Sequence, residues 1–321
     1  MVIDALNNFL RNYVIMPHLA ENGQPIGGTI GFLFSIQKLA DLINPDEIII
    51  CWDGTGGSRK RRQINKNYKA GRKPLRLNRN IRNLTENEEK ENKMWQLTRT
   101  IKYLNNFPIA QLVSDNVEAD DVISYVVQLP DYKDWQKVIV SNDKDFIQLL
   151  NDETILYRPT QLEVLNSKSV VEKYNIHPTN FALARAIAGD KSDNLPGVKG
   201  VGLPTIAKRL PFLSEDKTYT IDEIDKYCKS FDSNLRAYNS IVENKELIQE
   251  NYKLMQLYSP AMSVQSKNKI KHIIRNNEYI FNQTHTFKML YEDGIASYDW
   301  SRLSRLFKNF VRKNKENEKV N

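Results

Sequence analysis

EIIICWDG, Glu47 to Gly54, is an apolar run that stops abruptly on an aspartate and a glycine. Such a run fits a strand buried on both faces, as in a parallel sheet. Two other segments share the form: MVID (Met1 to Asp4), and KVIVS (Lys137 to Ser141) followed by NDKD. Between them GFLFSIQKLADLI (Gly31 to Ile43) spaces its apolar residues as a helix does, and Asn44-Pro45 ends it. Met94 to Asn105 reads as helix, Ala110 to Val113 as strand, Glu118 to Leu129 as helix, and Phe146 to Leu150 as the start of another helix. This alternation predicts an α/β fold: a parallel-type central sheet with helices on both faces, doubly wound over about the first 155 residues. In such a sheet the ligand crevice lies beyond the carboxyl ends of the strands, where Asp4, Asp53, Asp143 and Asp145 fall.

From about Ser167 the pattern turns helical. KSVVEKYNI, TNFALARAIAGD and LPTIAKRLPFL read as helices, and Asp222 to about Leu257 is helical and charged. The last ten residues, Arg312 to Asn321, read as a polar, frayed tail. The expected organisation is an α/β core over 1–165 that includes a basic region at about 60–106. A helical region over 166–321 follows, with a helix–hairpin–helix-like turn at about 179–212 and a helical extension.

The 321 residues carry 46 Lys and Arg against 39 Asp and Glu, a formal charge of +7 that favours polyanionic partners. Cys51 and Cys228 are the only cysteines, too few and too distant for a disulfide framework or a zinc site. The N-terminus carries Asp4 and Arg11 rather than the apolar core of a signal peptide. No apolar run approaches the ~20 residues of a membrane span. The expected compartment is the cytoplasm, that of the host if the protein is viral, with no membrane partner.

Within this basic chain the acids cluster at element ends: Asp4, Asp53, the EADD group of Glu118, Asp120 and Asp121, the DKD pair Asp143 and Asp145, and Asp190 with Asp193 in GDKSDN. Each cluster alone also reads as a helix cap. Together, converging carboxylates repel one another unless cations are bound. An all-oxygen donor set selects Mg²⁺, with Mn²⁺ able to substitute, and two such ions suit phosphoryl chemistry. None of His18, His177, His272 and His285 has metal-ligand spacing with another.

From Gly54 to Arg82 there are eleven basic residues and no acid: Arg59, Lys60, Arg61, Arg62, Lys66, Lys69, Arg72, Lys73, Arg76, Arg79 and Arg82. Starting next to Asp53, the stretch is expected to neutralise phosphates over the acidic site and to be mobile without substrate. A solvated loop or a localisation signal is the other reading. In GDKSDNLPGVKGVG (Gly189 to Gly202), Gly197, Gly200 and Gly202 let backbone N–H groups approach a phosphate, and Lys199, Lys208 and Arg209 add charge. Carbonyls of this turn could hold a monovalent cation such as K⁺. An ordinary interhelical loop is the alternative.

Over roughly residues 1–210 these motifs resemble the 5′ nuclease (flap endonuclease) superfamily, most nearly its free-standing bacteriophage ribonuclease H (5′–3′ exonuclease) type. The matching motifs are Asp4 with Arg11, Gly31-Phe32, WDG followed by Arg61 and YKAGR (Tyr68 to Arg72), VEADD, SNDKDF and GDKSDNLPGVKGVG. The resemblance implies divalent-metal hydrolysis of branched, flapped or nicked duplex DNA and RNA–DNA hybrids from the 5′ end, including removal of RNA primers during lagging-strand replication. It implies Asp4, Asp53, Glu118, Asp120 and Asp121 at a first metal, and Asp143, Asp145, Asp190 and Asp193 at a second, mostly through water. Lys69 and Arg72 would act on the scissile phosphate at the base of a helical arch. Arg11, Arg61, Tyr68, Gly197, Lys199, Gly200, Gly202 and Lys208 would bind nucleic acid, the last four with Gly197 in a helix–three-turn–helix motif. A monomer is expected, with a single-strand-binding protein or sliding clamp as further partners. A PIN-type ribonuclease, or a non-catalytic binder of branched DNA, is the competing reading.

Overall fold

The structure is a computed structural model and describes residues 1–72, 76–78, 80–81, 84–231 and 235–318. In chain order its elements are β1 (Val2–Asp4), α1 (Ala5–Ile15), α2 (Gly27–Ile43), β2 (Ile49–Trp52), α3 (Arg59–Ile64), α4 (Glu86–Leu104), β3 (Ala110–Val113), α5 (Ala119–Val127), β4 (Lys137–Val140), β5 (Thr154–Arg158) and β6 (Glu163–Leu165). Helices α6 (Ser167–Tyr174), α7 (Pro178–Ala188), α8 (Leu203–Arg209), α9 (Ile221–Ser230), α10 (Arg236–Glu243), α11 (Lys245–Met255), α12 (Val264–Arg275), α13 (Gln283–Glu292) and α14 (Ser301–Glu318) follow. The strands form a six-stranded sheet in the order β3-β2-β1-β4-β5-β6. The pairs β1–β2, β2–β3 and β4–β5 are parallel and β5–β6 is antiparallel. The α/β expectation is met.

Two compact units divide the chain: 1–52 with 74–113 and 264–321, and 53–73 with 114–263. Each draws on residues from both sides of position 165.

In the first unit the parallel register sets Asp4 opposite Cys51 and Trp52 opposite Val113. The Asp4 carboxylate caps α1, accepting from the Asn7 N–H at 3.1 Å. Helix α2 lies close against its neighbours because a Cβ at Gly28 would meet the Gln96 Oε1 at 2.8 Å and the Phe9 ring at 3.0 Å. The buried Gln96 amide replaces a cap there, accepting from the N–H groups of Gly28 (2.8 Å) and Thr29 (3.3 Å). Helix α4 opens on a capping box of Thr85 and Glu88. It starts eight residues earlier than the apolar periodicity suggests, because its first two turns are charged.

The C-terminal segment completes this unit's core. Trp300 stacks on Phe34 (4.9 Å between centroids) and Phe307 lies 4.4 Å from Phe107. Of the frayed tail expected over 312–321, residues 312–318 continue α14, whose Leu303, Phe307 and Phe310 supply a buried face, and 319–321 lie outside the described residues.

In the second unit, β4 is buried throughout and pairs with β5 from Lys137↔Thr154 to Val140↔Tyr157. The helix expected from Phe146 is a single 3₁₀ segment, Asp145–Leu149, after which the chain returns as β5. Gln148 holds this turn against α11: its amide donates to the Met255 carbonyl (3.0 Å) and accepts from the Leu257 N–H (2.7 Å). Asn251 on α11 donates to the carbonyls of Ala186 (3.0 Å) and Pro196 (2.9 Å), fixing the hairpin between α7 and α8.

Candidate active site

All but two of the predicted site residues fall in the second unit. The exceptions are Asp4, 7% exposed at the end of β1, and Arg11 on α1, which donates to Asn8 Oδ1 at 3.3 Å.

Asp53 follows β2, is exposed, and accepts from the Ala119 N–H at 2.8 Å, capping α5. Gly54 next to it is obligatory: a Cβ there would lie 1.8 Å from the Ser114 carbonyl oxygen. Helix α5 then carries Glu118 at its N-cap and Asp121 in its first turn, each 2% exposed, with Asp120 half-buried between them.

Residues 58–72 dock onto these acids. Arg61 Nη1 donates to Glu118 Oε2 (2.6 Å) and to Asp121 Oδ2 (2.7 Å), and its Nε donates to the Leu254 carbonyl (2.9 Å). Glu118 also accepts from Ser58 Oγ (2.6 Å), Lys69 Nζ (2.7 Å) and Tyr68 OH (3.2 Å). Burial alone would push the Glu118 carboxyl up, but Lys69 and Arg61 outweigh it and hold the group below the usual range. Burial likewise pulls the Lys69 ammonium down, and Asp120, Glu118 and Asp193 more than reverse it.

A second bank stands at the 3₁₀ turn and the hairpin. Asp143 accepts from the Asp145 N–H (2.8 Å), and Arg185 Nε on α7 donates to Asp145 (3.1 Å). The same guanidinium pairs with Asp190, which also accepts from Ser192 N–H (2.6 Å) and Oγ (2.7 Å). Arg72 pairs with Asp193 and donates to the Ser192 carbonyl (3.0 Å). The Lys69 N–H, at φ +55°, donates to the Asp193 carbonyl (2.8 Å). The cations do not cancel this bank. Burial and the charge on Asp143 push the Asp145 carboxyl up to about 7, with Asp190 and Asp193 adding to the effect. Asp143 is raised by burial and by Asp193 and Asp190 as well.

Several sequence expectations need correction. Tyr68 is 3% exposed and packs with Leu195, Leu254 and Met255. Arg61 is 8% exposed and saturated with carboxylates. Neither presents a surface to nucleic acid, because both fill the interior between the basic stretch and α5. The stretch is thus anchored at these positions rather than free. Arg76 is ion-paired with Glu86 (2.7 Å) and Glu89 (2.6 Å). Of the region expected to form an arch, α3 lies in the second unit and α4 in the first, while Lys73, Arg79 and Arg82 lie outside the described residues. The hairpin glycines also separate. Gly197 is packed against its own chain, where a Cβ would lie 2.0 Å from the Ala188 carbonyl oxygen. Gly200 sits at φ +80° in open space, and Gly202 at the N-cap of α8 meets nothing closer than 3.8 Å. Lys199 and Lys208 are exposed. Arg185 and Ser58 escaped the sequence reading. Arg185's signal was a lone cation five residues before Asp190.

Among the described residues no group of three or more His, Cys, Asp or Glu side chains stands at metal-ligating separation. The donor chemistry nonetheless fits a hard divalent cation. Four carboxylates share two guanidinium groups, and their mutual repulsion is already visible in Asp145.

A family model described as the 5′–3′ exonuclease, N-terminal resolvase-like domain, matches residues 1–175. The chain belongs to this family. It is 31% identical over 210 residues to a 5′–3′ exonuclease of Buchnera aphidicola, covering 64% of this chain and 67% of that one. A 5′–3′ exonuclease of Aquifex aeolicus is 26% identical over 263 residues, 80% of this chain and 81% of its own. The fold of this family member is that of the phage T5 5′-exonuclease solved with bound zinc ions: TM-score 0.67 at 21% identity, over 87% of this chain and 99% of that one. A phage T5 flap endonuclease solved with DNA and metal ions matches at TM-score 0.62 and 18% identity, over 93% and 99%. Among the described residues no helix is long and apolar enough to cross a membrane.

Proposed function

We propose that this member of the 5′–3′ exonuclease family is a divalent-metal-dependent, structure-specific 5′ nuclease. Its substrates are flapped, nicked or RNA-primed duplexes. The observation that carries the reading is the under-neutralised pair Asp143 and Asp145 beside Asp190 and Asp193, with Lys69 and Arg72 bound to the edge of this bank. Two Mg²⁺ ions would be held by this bank and by Asp4, Asp53, Glu118, Asp120 and Asp121. When bound they would supply an activated water and stabilise the leaving oxygen.

The chain's own residues do the rest. Lys69 and Arg72 bind non-bridging phosphate oxygens, a role for which their carboxylate pairing stores them in position. Arg61 and Tyr68 act behind Lys69, fixing α3 and the turn that follows it on α5. The exposed Lys199, Gly200, Gly202 and Lys208 line the duplex side of the hairpin.

The test is a 5′-labelled flap duplex and an RNA-primed duplex, incubated with Mg²⁺ or with EDTA. Metal-dependent cutting near the 5′ end is expected, with Asp143→Ala abolishing cleavage while flap binding persists. Cutting in EDTA, or full activity in that variant, would overturn the reading.

A further inference from the structure

Residues 264–318 lie beyond the span matched by the family model, and they carry eleven Lys and Arg against six Asp and Glu. Helix α14 divides its cations between two faces. Arg302 pairs with Asp41 (2.7 Å) and Lys313 with Asp46 (2.6 Å), on the side whose Leu303, Phe307 and Phe310 are buried. Arg305, Lys308, Arg312 and Lys315 recur at spacings of three, four and three, which places them on one other face, and all four are exposed. Glu316 approaches Arg312 only at 4.0 Å, and Asp299 lies within reach of the charge on Arg305. The stripe spans about 15 Å at 1.5 Å per residue.

Beside it, Phe287 of α13 lines the same groove of about 390 Å³ as Ser301, Arg305 and Lys308. Phe287 is 40% exposed, and Tyr291, one turn further along α13, is 80% exposed. Burial does not explain two large aromatic rings placed at i and i+4 on an exposed face next to a cationic stripe.

We propose that this α13–α14 surface binds single-stranded nucleic acid, with the cations on its phosphates and the two rings under unpaired bases. Charge complementarity selects a polyanion. The rings select a single strand, because bases stacked inside a duplex cannot lie on a protein ring. The proposal takes its choice of polyanion from the nuclease reading, but the binding it describes needs neither metal nor cleavage.

Fluorescence anisotropy with a labelled twelve-nucleotide oligothymidylate and a blunt hairpin duplex, in EDTA at several salt concentrations, tests it on the full chain. Phe287→Ala with Tyr291→Ala should weaken oligothymidylate binding at least about tenfold. Arg305→Gln with Lys308→Gln and Arg312→Gln should reduce the log–log salt slope by roughly 0.7 per cation removed. Duplex affinity should stay unchanged in both, whereas Lys199→Gln with Lys208→Gln should weaken the duplex chiefly. All these side chains are exposed, so an unchanged melting temperature verifies that each variant folds. Unaltered single-strand affinity and slope, an equal loss on the duplex, or displacement of the labelled oligothymidylate by polyglutamate as effectively as by unlabelled oligothymidylate would each overturn the proposal. A chain that cuts nothing yet shows the expected losses would refute the nuclease reading and leave this surface standing.

Discussion

The carboxylates of α5 and those around the hairpin are one chemical group in two electrostatic settings. Glu118 and Asp121 are almost wholly buried, yet Arg61 reaches both and Lys69 reaches Glu118. Asp143, Asp145, Asp190 and Asp193 are each partly exposed, and among the described residues the guanidinium groups that pair with this bank are those of Arg185 and Arg72. Glu118 stays easily ionised while Asp145 is pushed up to about 7. The difference teaches that burial raises a carboxyl wherever too few cations oppose it: desolvation acts on both groups, and at Glu118 it is outweighed by Lys69 and Arg61. It also marks the hairpin bank as the place where an added divalent cation relieves most repulsion.

The contrast breaks first, and hardest, at Arg61. Arg61→Ala takes the guanidinium from buried Asp121 and one of two cations from buried Glu118, and removing one partner of a buried pair costs roughly 3–5 kcal/mol. Urea unfolding of the metal-free protein measures it. A loss below about 1 kcal/mol would show that Lys69 and Ser58 suffice, and the two banks would no longer differ in kind.

Next comes Gly197→Ala, which forces a Cβ into the backbone of Ala188 and should cost about 2–3 kcal/mol. Because the hairpin carries Asp190 and Asp193, the Mg²⁺-induced rise in Tm should shrink with it. A normal metal response would uncouple the hairpin from the bank. Gly202→Ala, with nothing nearer than Pro204 Cδ at 3.8 Å, serves as the silent control.

Asp145→Asn probes the charge deficit itself. The carboxyl moves from 3.8 to about 7 on folding, so the native chain keeps a proton that the unfolded chain releases above about pH 4. The stability it contributes is therefore lost as pH rises from about 4 to about 7, and is level beyond that. In EDTA the variant should flatten this part of the stability–pH curve. An unchanged slope would place the deficit on another group.

Tyr68→Phe should have the smallest effect, about 1 kcal/mol, since Glu118 keeps three other donors when the phenol is lost. Nucleic-acid affinity measured by anisotropy should not change. A clear drop would return Tyr68 to the binding surface.

Much of this architecture was legible because strand ends and helix starts are local events. EIIICWDG and VEADD announce their elements as well as their acids, SNDKDF announces its acids but not the 3₁₀ turn that follows, and Ala110–Val113 is a strand over the predicted residues. The short β6 and the charged start of α4 carry little apolar periodicity, so neither announces itself. The helical extension was expected as a class but not in its partners, because the buried face of α14 meets residues two hundred or more positions away. The inward turn of Arg61 and Tyr68 was hidden for a related reason. A basic stretch reads as solvated until the acids that neutralise it, 50 or more residues later, are brought to it.

The first unit's dependence on residues 264–318 has a consequence in time. On a ribosome adding ~5–20 residues per second, residues 114–263 take roughly 8–30 s to emerge. Throughout that interval Phe34 and Phe107 await the Trp300 and Phe307 that will cover them. The nascent chain must therefore carry an unfinished apolar face past the synthesis of both carboxylate banks, and the half made first is the half completed last.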